Sequence, residues 1–206
     1  MSSNLAHWDV KHLAPAEHPP AEPSSIVREL LPLLPGGAAL DLACGTGRNT
    51  LFLAGHSRRV IAIDGSRAAL KTLEDRGNSA RIAVRWAASI EEATRSKRLE
   101  IWLVQADLEQ TPLPASSFDL ILCFQYLQRS LFPVIERALR PGGVLLFETF
   151  TTAQLRFNGG PRNPAYLLEP GELRRSFPYL DVLFYRELCA GQGIASLAAQ
   201  KPKGKN

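Results

Sequence analysis

Seven short apolar runs govern what this chain can become. The first five are Ala38–Ala43, Val60–Ile63, Ile101–Val104, Phe118–Phe124 and Val144–Phe150, each four to seven residues long and almost free of polar residues. A strand that is apolar on both sides must be covered on both faces, the condition met in a parallel sheet whose connections are helices. The intervening segments supply those helices. Ile26, Leu30 and Leu33/Leu34 recur at helical spacing, Asn49–Ala54 follows a glycine turn, and Leu131–Leu139 runs into Pro141-Gly142-Gly143. Ser66 can N-cap a helix over 67–76 that carries Leu70 and Leu73 on one face. The last two runs, Val182–Leu188 and Ile194–Ala199, are joined by the turn Gly191-Gln192-Gly193, too short for a crossover helix. They therefore add an antiparallel edge to the sheet. Residues 79–99 fit two periods: Ile82, Trp86, Ile90 and Ala93 suit a helix, whereas Ile82, Val84 and Trp86 alternate like a strand. Helix is the expectation there. The pattern as a whole predicts a doubly wound α/β domain with a mostly parallel, seven-stranded sheet.

The chain has 206 residues, a length that suits one domain. Residues 1–23, with Pro15, Pro19, Pro20 and Pro23, read as an irregular N-terminal arm, residues 24–200 as the domain, and residues 201–206 as a basic, disordered tail. With 45% hydrophobic and 21% charged residues, a wholly disordered chain is excluded. No apolar run approaches the roughly 18–20 residues of a membrane helix, and the start has neither the basic nor the apolar region of a secretory signal. Cys44, Cys123 and Cys189 are scattered and odd in number, which predicts reduced thiols in a cytoplasmic protein and neither a disulfide frame nor a metal site. The net charge of +4 falls to +1 without Lys201, Lys203 and Lys205, so no nucleic-acid surface is expected. His7, His12 and His18 are too irregularly spaced in the Pro-rich arm to suggest metal ligands.

In such folds ligands bind beyond the carboxyl ends of the strands, at the switch point beside the first strand. Here the first strand ends in Cys44-Gly45-Thr46-Gly47, the second in Asp64-Gly65, and the third in Asp107-Leu108. The glycines let the backbone approach a ligand. Asp64 can accept two ribose hydroxyls, Asp107 an exocyclic amine, and Leu108 can pack on a base. A dinucleotide turn needs a third glycine where Thr50 stands. Asp41, inside the first strand, would repel a pyrophosphate but attract an ammonium, at about 4 kcal/mol for charges ~4 Å apart. Adenosine at one end and an ammonium at the other describe S-adenosylmethionine.

The ordered segments Leu40–Gly47, Ile63-Asp64, Gln105–Leu108, Phe118–Leu122 and Leu139–Val144 resemble the motifs of class I S-adenosylmethionine-dependent methyltransferases over residues 24–150. The segment from Asn158 to Glu172 resembles the bacterial branch that includes tellurite-resistance-type methyltransferases. The resemblance implies a Rossmann-like sheet, S-adenosylmethionine as cofactor, and roles for particular residues. Asp41, Ala43 (at the first motif glycine), Cys44, Gly45 and Gly47 would hold the methionine end, Asp64 and Gly65 the ribose, and Asp107 with Leu108 the adenine. Phe124 and Gln125 would line the sulfonium, and Tyr126, Arg129, Arg162 and Tyr166 are candidate acceptor contacts. Residues 151–169 form a connection long enough to serve as a substrate lid. Methyl transfer from a sulfonium needs little beyond alignment and a desolvated pocket, and the sequence alone picks out no general base. The expected acceptor is a small molecule. The alternatives are an RNA or protein methyltransferase docking through Arg81–Arg98, a regulatory module that binds the cofactor without catalysis, and a dinucleotide oxidoreductase.

Overall fold

The computed structural model describes residues 22–56 and 58–204. The arm expected over 1–23, with His7, His12, His18 and a Trp8-Asp9 segment that could equally fold over a cofactor or simply pack, lies outside the described residues apart from positions 22 and 23. One sheet organises the rest. Its strands are β1 (Ala38–Leu42), β2 (Arg59–Asp64), β3 (Val84–Trp86), β4 (Ile101–Gln105), β5 (Phe118–Phe124), β6 (Leu139–Phe150), β7 (Asp181–Leu188) and β8 (Ile194–Gln200). They lie in the order β3-β4-β2-β1-β5-β6-β8-β7, with β7 and β8 antiparallel to their neighbours. The helices are α1 (Ser25–Glu29), α2 (Arg48–Gly55), α3 (Arg67–Ser79), α4 (Ile90–Arg95), α5 (Phe132–Ala138) and α6 (Glu172–Arg175). The order reverses between β1 and β5, which puts the switch point where the sequence predicts it.

Three expectations are corrected. The sheet has eight strands, not seven, because part of 79–99 is strand: Val84, Arg85 and Trp86 pair in parallel with Ile101, Trp102 and Leu103. The chain leaves α3 through Arg81 at a φ of +59°, and Ile82, Val84 and Trp86 then pack beside Ile101 and Leu103. Helix returns only at Ser89, whose hydroxyl accepts from Glu92 N at 3.3 Å while the Glu92 carboxylate accepts from Ala88 N at 2.8 Å. The Ser89 cap and the Glu92 bond to the residue before it fix the start of α4. Second, the final strand is interior, inserted between β6 and β7, and β7 forms the edge. Third, the basic tail does not begin disordered. Lys201 N donates to Gly143 O at 2.9 Å, extending the β6–β8 pairing. Its ammonium donates to the carbonyls of Glu136 and Leu139, both at 2.8 Å, at the carboxyl end of α5, where a cation is favoured by unpaired carbonyls and the helix dipole.

The central strands of the sheet are covered on both faces. Phe132, Phe147 and Phe177 cluster on one face, with ring centroids 5.0–6.0 Å apart. On the other, Ile26 and Val27 of α1 and Leu53 of α2 cover Ala39, Val60, Leu122 and Leu146. Every residue of β1 and β2 is buried. These two strands and β4 are thereby fixed in register, with Asp41 beside Ala62 and Asp64 beside Gln105.

Candidate functional site

Asp41 is the penultimate residue of β1 and is only 2% exposed. Its carboxylate accepts a hydrogen bond from Thr50 Oγ1 at 2.6 Å. Burial pushes its pKa up to about 7; the Thr50 hydrogen bond offsets part of the rise and nearby Asp64 adds to it. Thr50 matters in the sequence only as the glycine missing from a dinucleotide turn. Its position one helical turn after Gly47 is what brings it onto Asp41.

The turn after β1 is built from left-handed residues: Ala43, Gly45 and Gly47 have φ values of +52°, +54° and +80°. Ala43 keeps this conformation without the freedom of glycine, at a cost of about 1–2 kcal/mol. At Gly47 the absent Cβ serves packing, since a Cβ there would lie 2.1 Å from Leu73 Cδ1 of α3. Cys44 N donates to Ile63 O at 3.0 Å, tying the turn to β2. The Cys44 thiol is raised well above its ordinary pKa by burial and the two neighbouring carboxylates, so it stays protonated and unreactive.

Asp64 ends β2, 8% exposed, and its two oxygens accept from Gly45 N and Ser66 N, both at 2.8 Å. It thus clasps the glycine turn to the start of α3. Gly65 follows, its carbonyl accepting from Gln105 Nε2 at 3.2 Å. Ala106 N donates to Asp64 O at 3.1 Å, bringing the end of β4 alongside. Asp107 is half-buried and accepts from Glu109 N at 3.0 Å, and Leu108 is buried in the main core. The structure therefore gathers Asp41, residues 43–47, Asp64, Gly65 and Asp107 along one row of adjacent strand ends.

The other predicted positions have different surroundings. Phe124 is buried in the apolar cluster with Ile26 and Val27, and Gln125 is exposed at a φ of +54° with its N–H on Glu148 O at 2.8 Å. The Tyr126 phenol donates to Gln128 Oε1 at 2.6 Å and is held above its usual pKa by burial. Arg129 is a clamp: it pairs with Glu172 at 2.6 Å and donates to the carbonyls of Ala165 and Leu167. Arg162 is likewise committed, to the carbonyls of Leu155 and Phe157. Tyr166 is 52% exposed. Both arginines thus hold the 151–169 segment in place. Gln154, which sequence reasoning passed over, is 3% exposed and pins that segment to Gly193 N at 2.8 Å.

A family model described as a methyltransferase domain matches residues 40–147. The chain belongs to that family, as its resemblance to the class I enzymes implies. A malonyl-[acyl-carrier protein] O-methyltransferase of Herminiimonas arsenicoxydans is 29% identical over 133 residues, covering 62% of this chain. The match spans 42% of the length of the curated relatives. Among solved structures, one from work on conversion of a disulfide bond into a thioacetal group during echinomycin biosynthesis superposes with a TM-score of 0.70 at 18% identity, covering 98% of this chain and 94% of that one. TehB from Haemophilus influenzae superposes with a TM-score of 0.68 at 17% identity, covering 87% and 62%. These likenesses establish the Rossmann-like methyltransferase fold. No helix among the described residues is long and apolar enough to cross a membrane.

Proposed function

We propose that the chain is an S-adenosylmethionine-dependent methyltransferase acting on a small-molecule acceptor in the reducing cytoplasm. The observation that carries this reading is the row of carboxylates at neighbouring strand ends, with Asp41 sealed behind a left-handed turn. The residues fit the cofactor. Asp41 has no ion pair among the described residues, and its raised pKa marks a site that a ligand ammonium would relieve. The backbone of residues 43–47 would hold the amino-acid portion, Asp64 and Gly65 the ribose, and Asp107 with Leu108 the adenine. When bound, the cofactor supplies a methyl group on a positively charged sulfur, a strong leaving group. The chain's own work is to position it and to keep water out.

Titration calorimetry with S-adenosylmethionine, followed by detection of S-adenosylhomocysteine in the presence of small acceptors, tests the reading. Binding with product defines the enzyme, whereas binding without product from any acceptor or cell extract supports the regulatory alternative. Failure to bind ends the proposal. The curated relative's name brings a carrier-linked carboxyl group into consideration as acceptor, a second reading.

A further inference from the structure

Beyond the row of carboxylates, the sheet face that carries Asp41 contains a second polar feature that the cofactor reading leaves unused. Side chains that sit beside one another across a sheet share a face. On this face Asp41 pairs with Leu122, which pairs with Leu146, then Ala198 and Phe184, an apolar rung packed under α1 and α2. Two residues nearer the carboxyl ends of the parallel strands, the next rung reads Phe124, Glu148, Ser196, Arg186. The rung beyond it turns apolar again, with Phe150, Ile194 and Leu188. A polar trio is thus embedded in an apolar surface, an arrangement that costs stability unless its members are hydrogen-bonded or paired.

On β6 this face is sealed at Val144 and Leu146 and opens first at Glu148, which is half-buried. Ser196 Oγ, fully buried, donates to Glu148 Oε2 at 2.6 Å. Arg186 lies 3.6 Å from Glu29 of α1, and its Nε is buried without a hydrogen-bond partner among the described residues. With strands about 4.8 Å apart and about 3.3 Å per residue, Glu148 stands roughly 10 Å across the sheet from β1 and one rung above Asp41. That is the side of the cleft away from Asp64 and Asp107, the approach left to an acceptor once the cofactor covers β1, β2 and β4.

Resting on the function proposed above, we propose that Glu148 accepts the proton of the methyl acceptor, which is therefore a hydroxyl, thiol or amine and not a carboxylate. As the acceptor's lone pair forms the new bond to the methyl carbon, its X–H proton moves to the Glu148 carboxylate. The carbon–sulfur bond breaks with its electron pair left on sulfur, and the proton then passes to water. Ser196 positions Glu148. Burial raises the pKa of Glu148 most; the Ser196 hydrogen bond and the nearby charges of Arg186 and Arg48 offset part of that rise, and Glu29 adds to it. An ionised carboxylate acceptor has no proton to give and would meet Glu148 as a like charge.

The experiment begins with S-adenosylmethionine binding by calorimetry, then measures S-adenosylhomocysteine release with 4-nitrocatechol, dithiothreitol, benzylamine and malonyl-N-acetylcysteamine. The expected result is turnover of at least one of the three proton-bearing probes in preference to the malonyl thioester. In Glu148→Gln, kcat should fall about 100- to 10,000-fold while cofactor affinity and melting temperature hold. The acidic limb of kcat/KM should vanish in that variant. In Ser196→Ala, which removes a hydrogen bond to the charged form, the limb should move to higher pH, a shift that a purely structural role would not produce; this second variant carries the test if Glu148→Gln does not fold. Cofactor binding with the malonyl thioester preferred, with the three proton-bearing probes inert, or with Glu148→Gln at full rate overturns the inference alone. Absence of cofactor binding overturns the underlying reading and the inference together.

Discussion

Asp41→Asn separates the fold's need for Asp41 from the ligand's. The carboxyl is raised from 3.8 to about 7, chiefly by burial. A group whose folded pKa lies above its unfolded value binds its proton more tightly in the folded state. Its contribution is therefore most favourable at low pH and is lost as pH rises from about 4 to about 7. At 1.36 kcal/mol per pH unit, the full loss is about 4 kcal/mol, of which about 3 falls between pH ~5 and pH ~8.5. Asparagine keeps an oxygen to accept from Thr50 Oγ1 and carries no charge. Urea unfolding at the two pH values should show wild type losing about 3 kcal/mol more than the variant, and the variant should be the more stable at alkaline pH. Cofactor affinity should move the other way, falling through loss of the ammonium's partner. In wild type near neutral pH, binding should release a proton, seen as a dependence of the calorimetric heat on buffer ionisation enthalpy. Parallel stability curves for the two proteins would refute the argument.

Asp64→Asn should weaken S-adenosylmethionine binding by roughly 1.5–3 kcal/mol, about 10- to 150-fold, and should also cost about 1–3 kcal/mol of stability, because the amide NH2 then faces one of the two backbone N–H donors that the carboxylate satisfies; unchanged affinity by calorimetry would remove Asp64 from the site. Ala43→Gly should stabilise the chain by about 0.5–1 kcal/mol, the left-handed penalty less the added freedom of the unfolded glycine, and raise the melting temperature by a few degrees. Gly47→Ala should cost about 2–4 kcal/mol from left-handed strain and overlap with Leu73, and a denaturation midpoint equal to wild type would contradict that packing. Arg129→Ala should raise hydrogen exchange in residues 158–168 about tenfold while leaving the global melt nearly unchanged, since the ion pair is partly exposed and screened.

The sheet was legible because its strands are apolar on both sides, a requirement of burial that local sequence must meet. The strand-end acids were legible for a related reason: Asp41, Asp64 and Asp107 each interrupt or terminate an apolar run, and the glycines beside them break helical and strand patterns alike. Short segments set by neighbours were not. Val84–Trp86 has only three residues and is strand because β4 offers it a free edge. Its sequence satisfies two periods, and only the cap at Ser89 settles where helix resumes. Arg129 and Arg162 look available for a ligand in one dimension, but their partners lie 5 to 43 residues away and consume their donors. Glu148 was hidden by its setting, since one acid inside Val144–Phe150 looks like an outward-facing residue until the register places Ser196 and Arg186 beside it.

The inward position of β8 has a consequence for synthesis. Ribosomes deliver the amino end first, so β6 and β7 both exist before the strand that joins them. Until residue 200 has emerged, β6 presents an open row of amides and carbonyls flanked by Leu145, Leu146 and Phe147, and β7 has no partner. Pairing that spans Val144 to Gln200 is distant in sequence and slow to form. The nascent chain must therefore carry a sticky, half-built margin, and a ribosome stalled shortly before this strand would release a product prone to self-association.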